Sequence, residues 1–401
     1  MERKGPSQAG SMKVAVVLGT RPEAIKLAPV IEDLRRDPER ITCVVVNTGQ
    51  HRDMAIQALA AFGLRADVDL GTMRAGQSLG SLTSRLFHEL DEFFARGRPD
   101  CVLVQGDTTS AMVAATTAFY HRMTVGHVEA GLRTYDRLAP FPEEINRTFI
   151  GHVADLHFAP TEGARDNLLR AGVDRRSILV TGNTVVDAVH RIRSRISSNA
   201  RKSLLDPALL SAVQGKRLIL VTSHRRESFG PGLQNICRAL RDIVQRFQDA
   251  IIVYPVHLNP KVQDAVYRTL GNTERIHLLK PVGYLELMSL IERAYIVLTD
   301  SGGLQEEVPS FGKPILILRD VTERPEVVKA GCARLVGTST SSIVNNASEL
   351  MNVPQIYLRM ASAGNPFGDG HASERIVARL LDQKRREVTG NVRHLQHHVY
   401  P

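Results

Sequence analysis

The chain has 401 residues, 43% hydrophobic and 23% charged, which is enough apolar side chain for two folded domains and excludes a disordered or collagen-like chain. Lys and Arg number 51 against 42 Asp and Glu, a net charge of +9 that suits an anionic ligand; with 5% aromatics, no Trp and dispersed basic residues, nucleic acid is disfavoured. The cysteines Cys43, Cys101, Cys237 and Cys332 make no CxxC pair, so neither a zinc site nor a disulfide scaffold is expected, and no apolar run approaches the ~20 residues of a membrane span.

Met1–Ser11 is polar, lacks the apolar centre of a signal peptide and reads as a disordered extension before a natural start at Met12, so a soluble cytoplasmic protein is expected. From there short apolar runs alternate with amphipathic stretches, the pattern of parallel sheets covered by helices on both faces. The first half has Val14–Leu18, Cys43–Val46, Cys101–Gln105, Thr124–Val128, Leu156–Ala159 and Ile178–Thr181. The second has Leu218–Thr222, Ile251–Val256, Ile276–Leu279, Ile296–Thr299, Pro314–Leu318 and Arg334–Val336. Between them Arg193–Gly215, polar and basic with Pro207 and Gly215, suits an inter-domain segment.

In such sheets ligands bind beyond the carboxyl ends of strands, so the residues after each run carry the functional reading. The first run leads into Gly19-Thr20-Arg21-Pro22-Glu23-Ala24-Ile25-Lys26, where Thr20 and Glu23 predict a capping box opening a helix. Arg21 and Lys26 beside free N–H groups would hold a diphosphate, or would be solvated charges near a cap. Walker A and GxGxxG spacings are absent, which removes the usual markers of ATP hydrolysis and dinucleotide binding. Asp107 and Glu129 follow two further strands, and Glu143 opens a helix after a Pro-rich loop. Asp107 could be the N-cap of the next helix, whereas Glu129 has no capping role; together the three could act as acid and base on two faces of a substrate. In the second half, Ser223-His224-Arg225-Arg226-Glu227-Ser228-Phe229-Gly230 reads as an anion-binding loop, and Asp300-Ser301-Gly302-Gly303 as a turn whose N–H groups can approach a phosphate.

Taken in order, GTRPEAIK (Gly19–Lys26), GQHR (Gly49–Arg52), GDTT (Gly106–Thr109), HVEAGLR (His127–Arg133), PEEINR (Pro142–Arg147), GNTVVD (Gly182–Asp187), HRRES (His224–Ser228), YPVHLNP (Tyr254–Pro260), DSGGLQEE (Asp300–Glu307) and ERPE (Glu323–Glu326) resemble the non-hydrolysing UDP-N-acetylglucosamine 2-epimerases over about residues 12–380. The resemblance implies an α/β protein of GT-B architecture, two Rossmann-like domains facing a cleft that holds the UDP-sugar. It implies an N-terminal domain at 12–184, a UDP-binding domain at 185–372 and a helix at 373–390 returning to the first. No metal or NAD is implied; the partners would be UDP-N-acetylglucosamine, UDP and a second copy of the chain in a homodimer.

Carried over by motif, Asp107, Glu129, Glu143 and His224 would be catalytic. Arg21, Ser301, Gly302, Gly303, Glu307 and Arg324 would bind the nucleotide, with Glu307 on the ribose and Lys26 near the sugar. Gln50, Arg225 and His257 match positions where a second substrate molecule favours closure. Ser223 departs from the family pattern, in which glycine commonly precedes the histidine. A glycosyltransferase, a hydrolysing epimerase, a 2-epimerase of UDP-2,3-diacetamido sugar acids and a non-catalytic sugar-nucleotide binder remain alternatives.

Overall fold

A computed structural model of the chain describes residues 11–198, 204–225 and 229–388. The expected extension, Ser11 apart, the tail beyond residue 388, and Arg226–Ser228 of the HRRES motif lie outside them.

The apolar runs are all strands, their ends shifted by at most two residues. β1 (Met12–Leu18), β2 (Ile41–Asn47), β3 (Val68–Asp69), β4 (Cys101–Gln105), β5 (Thr124–Val128), β6 (Leu156–Ala159) and β7 (Ile178–Val180) form one parallel sheet in the order β3-β2-β1-β4-β5-β6-β7. A second holds β8 (Arg217–Thr222), β9 (Ala250–Pro255), β10 (Ile276–Leu279), β11 (Ala294–Thr299), β12 (Ile315–Ile317) and β13 (Ala333–Leu335) in the order β10-β9-β8-β11-β12-β13. Strands covered on both faces need unbroken apolar sequence, which is why these runs were legible. β3 was not, because two residues at a sheet edge leave no periodic signal.

The chain forms two compact units. One comprises the described residues up to Ala188 together with those from Gly368 onward, the other Val189–Phe367. In the first unit Val17, Val102 and Val104 pack against Leu86, Leu90 and Phe94 of helix Leu79–Gly97. Helix Ala372–Val388 also belongs to this unit and lies on helix Arg21–Arg35. Asp187 caps it, accepting from the Ser373 amide at 2.8 Å and the Ser373 hydroxyl at 2.6 Å. In the second unit Ile219, Ile252, Ile296 and Leu298 meet Leu240 and Ile243 of helix Pro231–Arg246.

The segment Arg193–Gly215, read from its composition as inter-domain, carries regular structure where it is described. Helix Thr184–Ser198 runs through its start, and Pro207–Val213 forms a second helix capped by Asp206. Buried Val185, Val186, Val189 and Ile192 give Thr184–Ser198 a helical apolar stripe that outweighs its polar composition.

In each sheet the strand order reverses at one point, between β1 and β4 in the first and between β8 and β11 in the second. Loops leaving such a pair turn to opposite faces and open a crevice at the strands' carboxyl ends. Gly19–Arg21 and Gly106–Asp107 lie at the first of these points, Ser223–Arg225 and Asp300–Ser301 at the second.

Candidate active site

In the first unit the carboxyl ends of β4 and β5 converge on Glu129. It is buried, with φ of 65°, and its Oε1 accepts from the Lys26 ammonium at 2.6 Å and from Asn183 Nδ2 at 3.1 Å. Oε2 accepts from Gln105 Nε2. Lys26 reaches it from helix Arg21–Arg35, one face of which is wholly covered.

Asp107 is not a helix cap. Thr108 caps helix Thr109–Tyr120, its hydroxyl accepting from the Ala111 amide at 3.0 Å, and the Asp107 carboxylate instead pairs with Arg147 at 2.5 Å. The reason is distance along the chain: Asp107 sits in the turn made by Gly106, at φ of 68°, one residue before the cap position. Glu143 opens helix Glu143–Val153 as expected, and burial together with the Asp107 charge raises its carboxyl above the ordinary range, so it holds a proton more readily. Glu144 differs from its neighbour. Burial acts to raise it, but the Thr134 amide at 3.0 Å, Arg133 Nε at 2.7 Å and the Tyr135 amide at 3.1 Å together hold it below its usual value. Consecutive glutamates thus divide into one that anchors the preceding loop and one whose proton is biased to stay.

Two buried groups support this turn: His127, which sequence reasoning did not single out, and Glu23, to which it gave only a capping role. His127 Nε2 donates to the Gly106 carbonyl at 2.7 Å, and burial lowers its imidazole to about 3, so the ring is neutral. Glu23 does more than close the capping box. Its Oε2 accepts from the Gly19 and Thr20 amides at 3.0 and 2.7 Å, and its Oε1 from the Thr108 hydroxyl at 2.6 Å, joining the Arg21 loop to the Asp107 loop. Gln50 is tied to the same region, its side-chain oxygen accepting from the Ser110 hydroxyl at 2.8 Å.

In the second unit His224 and Arg225 follow β8, and their amides donate to Asp300 Oδ2 at 2.7 and 2.9 Å. The His224 and His257 rings stack, centroids 5.5 Å apart and planes 17° off parallel. The Asn259 amide donates to His257 Nδ1 at 3.1 Å, so that nitrogen carries no hydrogen. The Arg225 guanidinium lies 3.9 Å from the Glu323 carboxylate. Ser301 precedes the short helix Gly302–Glu307, whose first residues are Gly302 and Gly303 and where buried Glu307 accepts from the Tyr284 hydroxyl at 3.1 Å. Arg324 pairs with Glu306 on that helix. Histidines, arginines and a glycine turn in one unit suit a diphosphate, and the carboxylates of the other suit proton transfer. Among the described residues no helix is long and apolar enough to cross a membrane.

A family profile described as UDP-N-acetylglucosamine 2-epimerase matches residues 32–381. The chain is 49% identical to UDP-N-acetylglucosamine 2-epimerase of Escherichia coli K12 over 376 residues, 93% of this chain and 99% of the relative. To its Bacillus subtilis counterpart it is 47% identical over 370 residues, 92% and 95%. The Neisseria meningitidis UDP-GlcNAc 2-epimerase bound to UDP-GlcNAc superposes with a TM-score of 0.85 at 42% identity, covering 92% of this chain and all (100%) of that one. The Methanocaldococcus jannaschii enzyme in complex with UDP-GlcNAc and UDP gives 0.74 at 34% identity, covering 92% and 99%. With two parallel-sheet domains of GT-B-like fold and this extent of similarity in sequence and structure, the chain belongs to the UDP-N-acetylglucosamine 2-epimerase family.

Proposed function

We propose that the chain interconverts UDP-N-acetylglucosamine and UDP-N-acetylmannosamine by elimination and re-addition of UDP. The observation that carries this reading is the set of carboxyl groups after β4 and β5 and at the start of helix Glu143–Val153, with Glu129 buried against Lys26 and Glu143 biased toward its protonated form beside Asp107. Such a set serves proton transfer at carbon better than it serves binding.

The hydrogen at C2 of the sugar is not adjacent to a carbonyl and resists direct removal. Cleavage of the C1–O bond, its electron pair leaving with UDP, gives an oxocarbenium-like centre that acidifies the C2 proton. A carboxylate takes that proton, C1 and C2 become doubly bonded, and 2-acetamidoglucal and UDP are held together. Proton return to the other face of C2, with the diphosphate oxygen adding to C1, completes the inversion. Arg21, His224 and the Ser301–Gly303 turn stabilise the departing diphosphate, and Glu307 and Arg324 hold the nucleoside. Asp107, Glu129 and Glu143 share the proton transfers.

Gln50, Arg225 and His257 are assigned to a second, activating molecule of substrate. The support is local: Arg225 shares the Asp300 anchor with His224, and His257 stacks on the His224 ring, so a ligand on either biases a group of the reaction. A homodimeric cytoplasmic enzyme is the corresponding expectation, checked by light scattering and fractionation.

Incubation with UDP-N-acetylglucosamine in deuterated water tests the reaction. Epimerised UDP-sugar carrying deuterium at C2 is expected. Retained protium overturns the elimination, and free sugar as the first product moves the chain to the hydrolysing class.

A further inference from the structure

Asp300 directly follows β11, beside the end of β8, and has no exposed surface. Its Oδ2 takes three donors: the Ser223 hydroxyl at 3.0 Å and the amides of His224 and Arg225 at 2.7 and 2.9 Å. Oδ1 is buried with no aligned hydrogen bond among the described residues, and Nδ1 of His224 lies 3.2 Å away. A buried carboxylate oxygen without a donor is costly, and catalytic hydrogen bonds are commonly poorly aligned before ligand binds. A carboxylate accepts only, so the ring hydrogen that meets it must be on Nδ1.

Resting on the role given to His224 above, we propose that Asp300 is a positioning residue that fixes His224 as its Nδ1–H tautomer, leaving Nε2 to meet the departing diphosphate, and that Ser223 tunes this by sharing the same carboxylate. When the anion arrives, Nε2 takes one proton from solvent, and the imidazolium lies between the Asp300 carboxylate and the diphosphate. The logic is that of a buried Asp holding a catalytic His, transferred to the end of a parallel sheet.

Among the described residues the charged and titratable groups facing the ring are Asp300, His257 and Arg225. Burial, His257 and Arg225 disfavour the cation, and Asp300 opposes them; the ring as a whole lies below the ordinary histidine range. His257 is held in the opposite tautomer by the Asn259 amide, so the stacked ring offers His224 no competing Nδ1–H. Ser223 matters because its hydroxyl is a neutral donor to the oxygen that also holds the loop. The Tyr254 hydroxyl, donating to the Ser223 carbonyl at 3.1 Å from a buried position, fixes the serine backbone.

The test is nitrogen-15 NMR of the histidines in the full chain without ligand, across pH 5 to 9, for the unmodified protein and two variants. His224 is expected as Nδ1–H. Asp300→Asn, which can turn an amide N–H toward the ring, is expected to convert it to Nε2–H, lower its protonation midpoint and cut kcat about 10²-fold or more while UDP still binds. Should Asp300→Asn fail to fold, Ser223→Ala carries the test. Loss of the hydroxyl leaves more of the carboxylate's charge to the ring and raises the His224 midpoint by about half a pH unit. An Nε2–H ring in the unmodified protein overturns the proposal, as does a midpoint unmoved in Ser223→Ala. The ring signals are read without substrate. The expected signals in a protein that does not turn over UDP-N-acetylglucosamine would therefore uphold Asp300 and overturn the epimerase reading instead.

Discussion

Removing the Lys26 cation by Lys26→Met puts a number on the Glu129 pair. The ammonium and carboxylate are 2.6 Å apart with side chains 11% and 5% exposed, so little water screens them. Gross attraction at that separation is about 6 kcal/mol at an effective dielectric of about 20, and loss of one partner of a buried pair costs about 3–5 kcal/mol net. Glu129 has an escape, which is to take up a proton. Neutralising a carboxyl of ordinary affinity costs about 1.4 kcal/mol per pH unit above about 4.3, hence about 3.7 kcal/mol at pH 7 and about 1.6 kcal/mol at pH 5.5. That sets the ceiling, and the variant should lose about 3–4 kcal/mol at pH 7 but only about 1–2 kcal/mol at pH 5.5.

The sign follows because in the variant the folded carboxyl binds its proton more tightly than the unfolded one. The penalty grows as pH rises and relaxes as it falls. Denaturant unfolding followed by circular dichroism, with the unmodified protein as reference at each pH, reads the difference. Glu129→Gln added to Lys26→Met removes the charge while retaining an acceptor for Gln105 or Asn183, and should restore about 2 kcal/mol at pH 7 and abolish the pH dependence. A loss equal at both pH values, or below about 1 kcal/mol, would refute the account of Glu129 as a charge stabilised by Lys26.

Asp107→Asn and Glu143→Gln should each lower kcat by roughly 10²-fold or more with an unchanged circular dichroism spectrum; normal turnover returns that residue to a packing role. His127 and His157, partners in register on β5 and β6, are held by burial to about 3 and about 4, so the unfolded chain takes up their protons first as pH falls. Stability should therefore be full above about pH 6.5 and fall below it at up to about 2.7 kcal/mol per pH unit, and His157→Leu should roughly halve that slope in thermal melts. A Cβ on Gly19 would stand 2.2 Å from the Thr48 hydroxyl and 2.6 Å from that of Ser110. Gly19→Ala should cost about 1–3 kcal/mol of unfolding free energy, partly recovered by Ser110→Ala, and no loss would mean the loop moves freely.

Much of the fold was legible because parallel strands buried on both faces must be continuously apolar, and Val14–Leu18 or Cys101–Gln105 can be little else. The positions of Asp107, Glu129, His224 and Asp300 at strand ends followed from the same runs. Local composition did not reveal the extent of helix Thr184–Ser198, because its buried stripe at Val185, Val186, Val189 and Ile192 ends just before the polar stretch that begins at Arg193.

Partners across the sheet were beyond the sequence, since they depend on strand order. Only β1 lying next to β4 brings Glu23 to Thr108, and only β4 next to β5 brings His127 to Gly106. Only β8 next to β11 sets Asp300 beneath Ser223 and His224, many residues earlier in the chain. Residue type and spacing determine which groups can do chemistry, because side-chain reactivity and strand or helix period are local properties. Which proton each group holds was decided by the tertiary structure, because burial and neighbouring charge arise when distant segments pack.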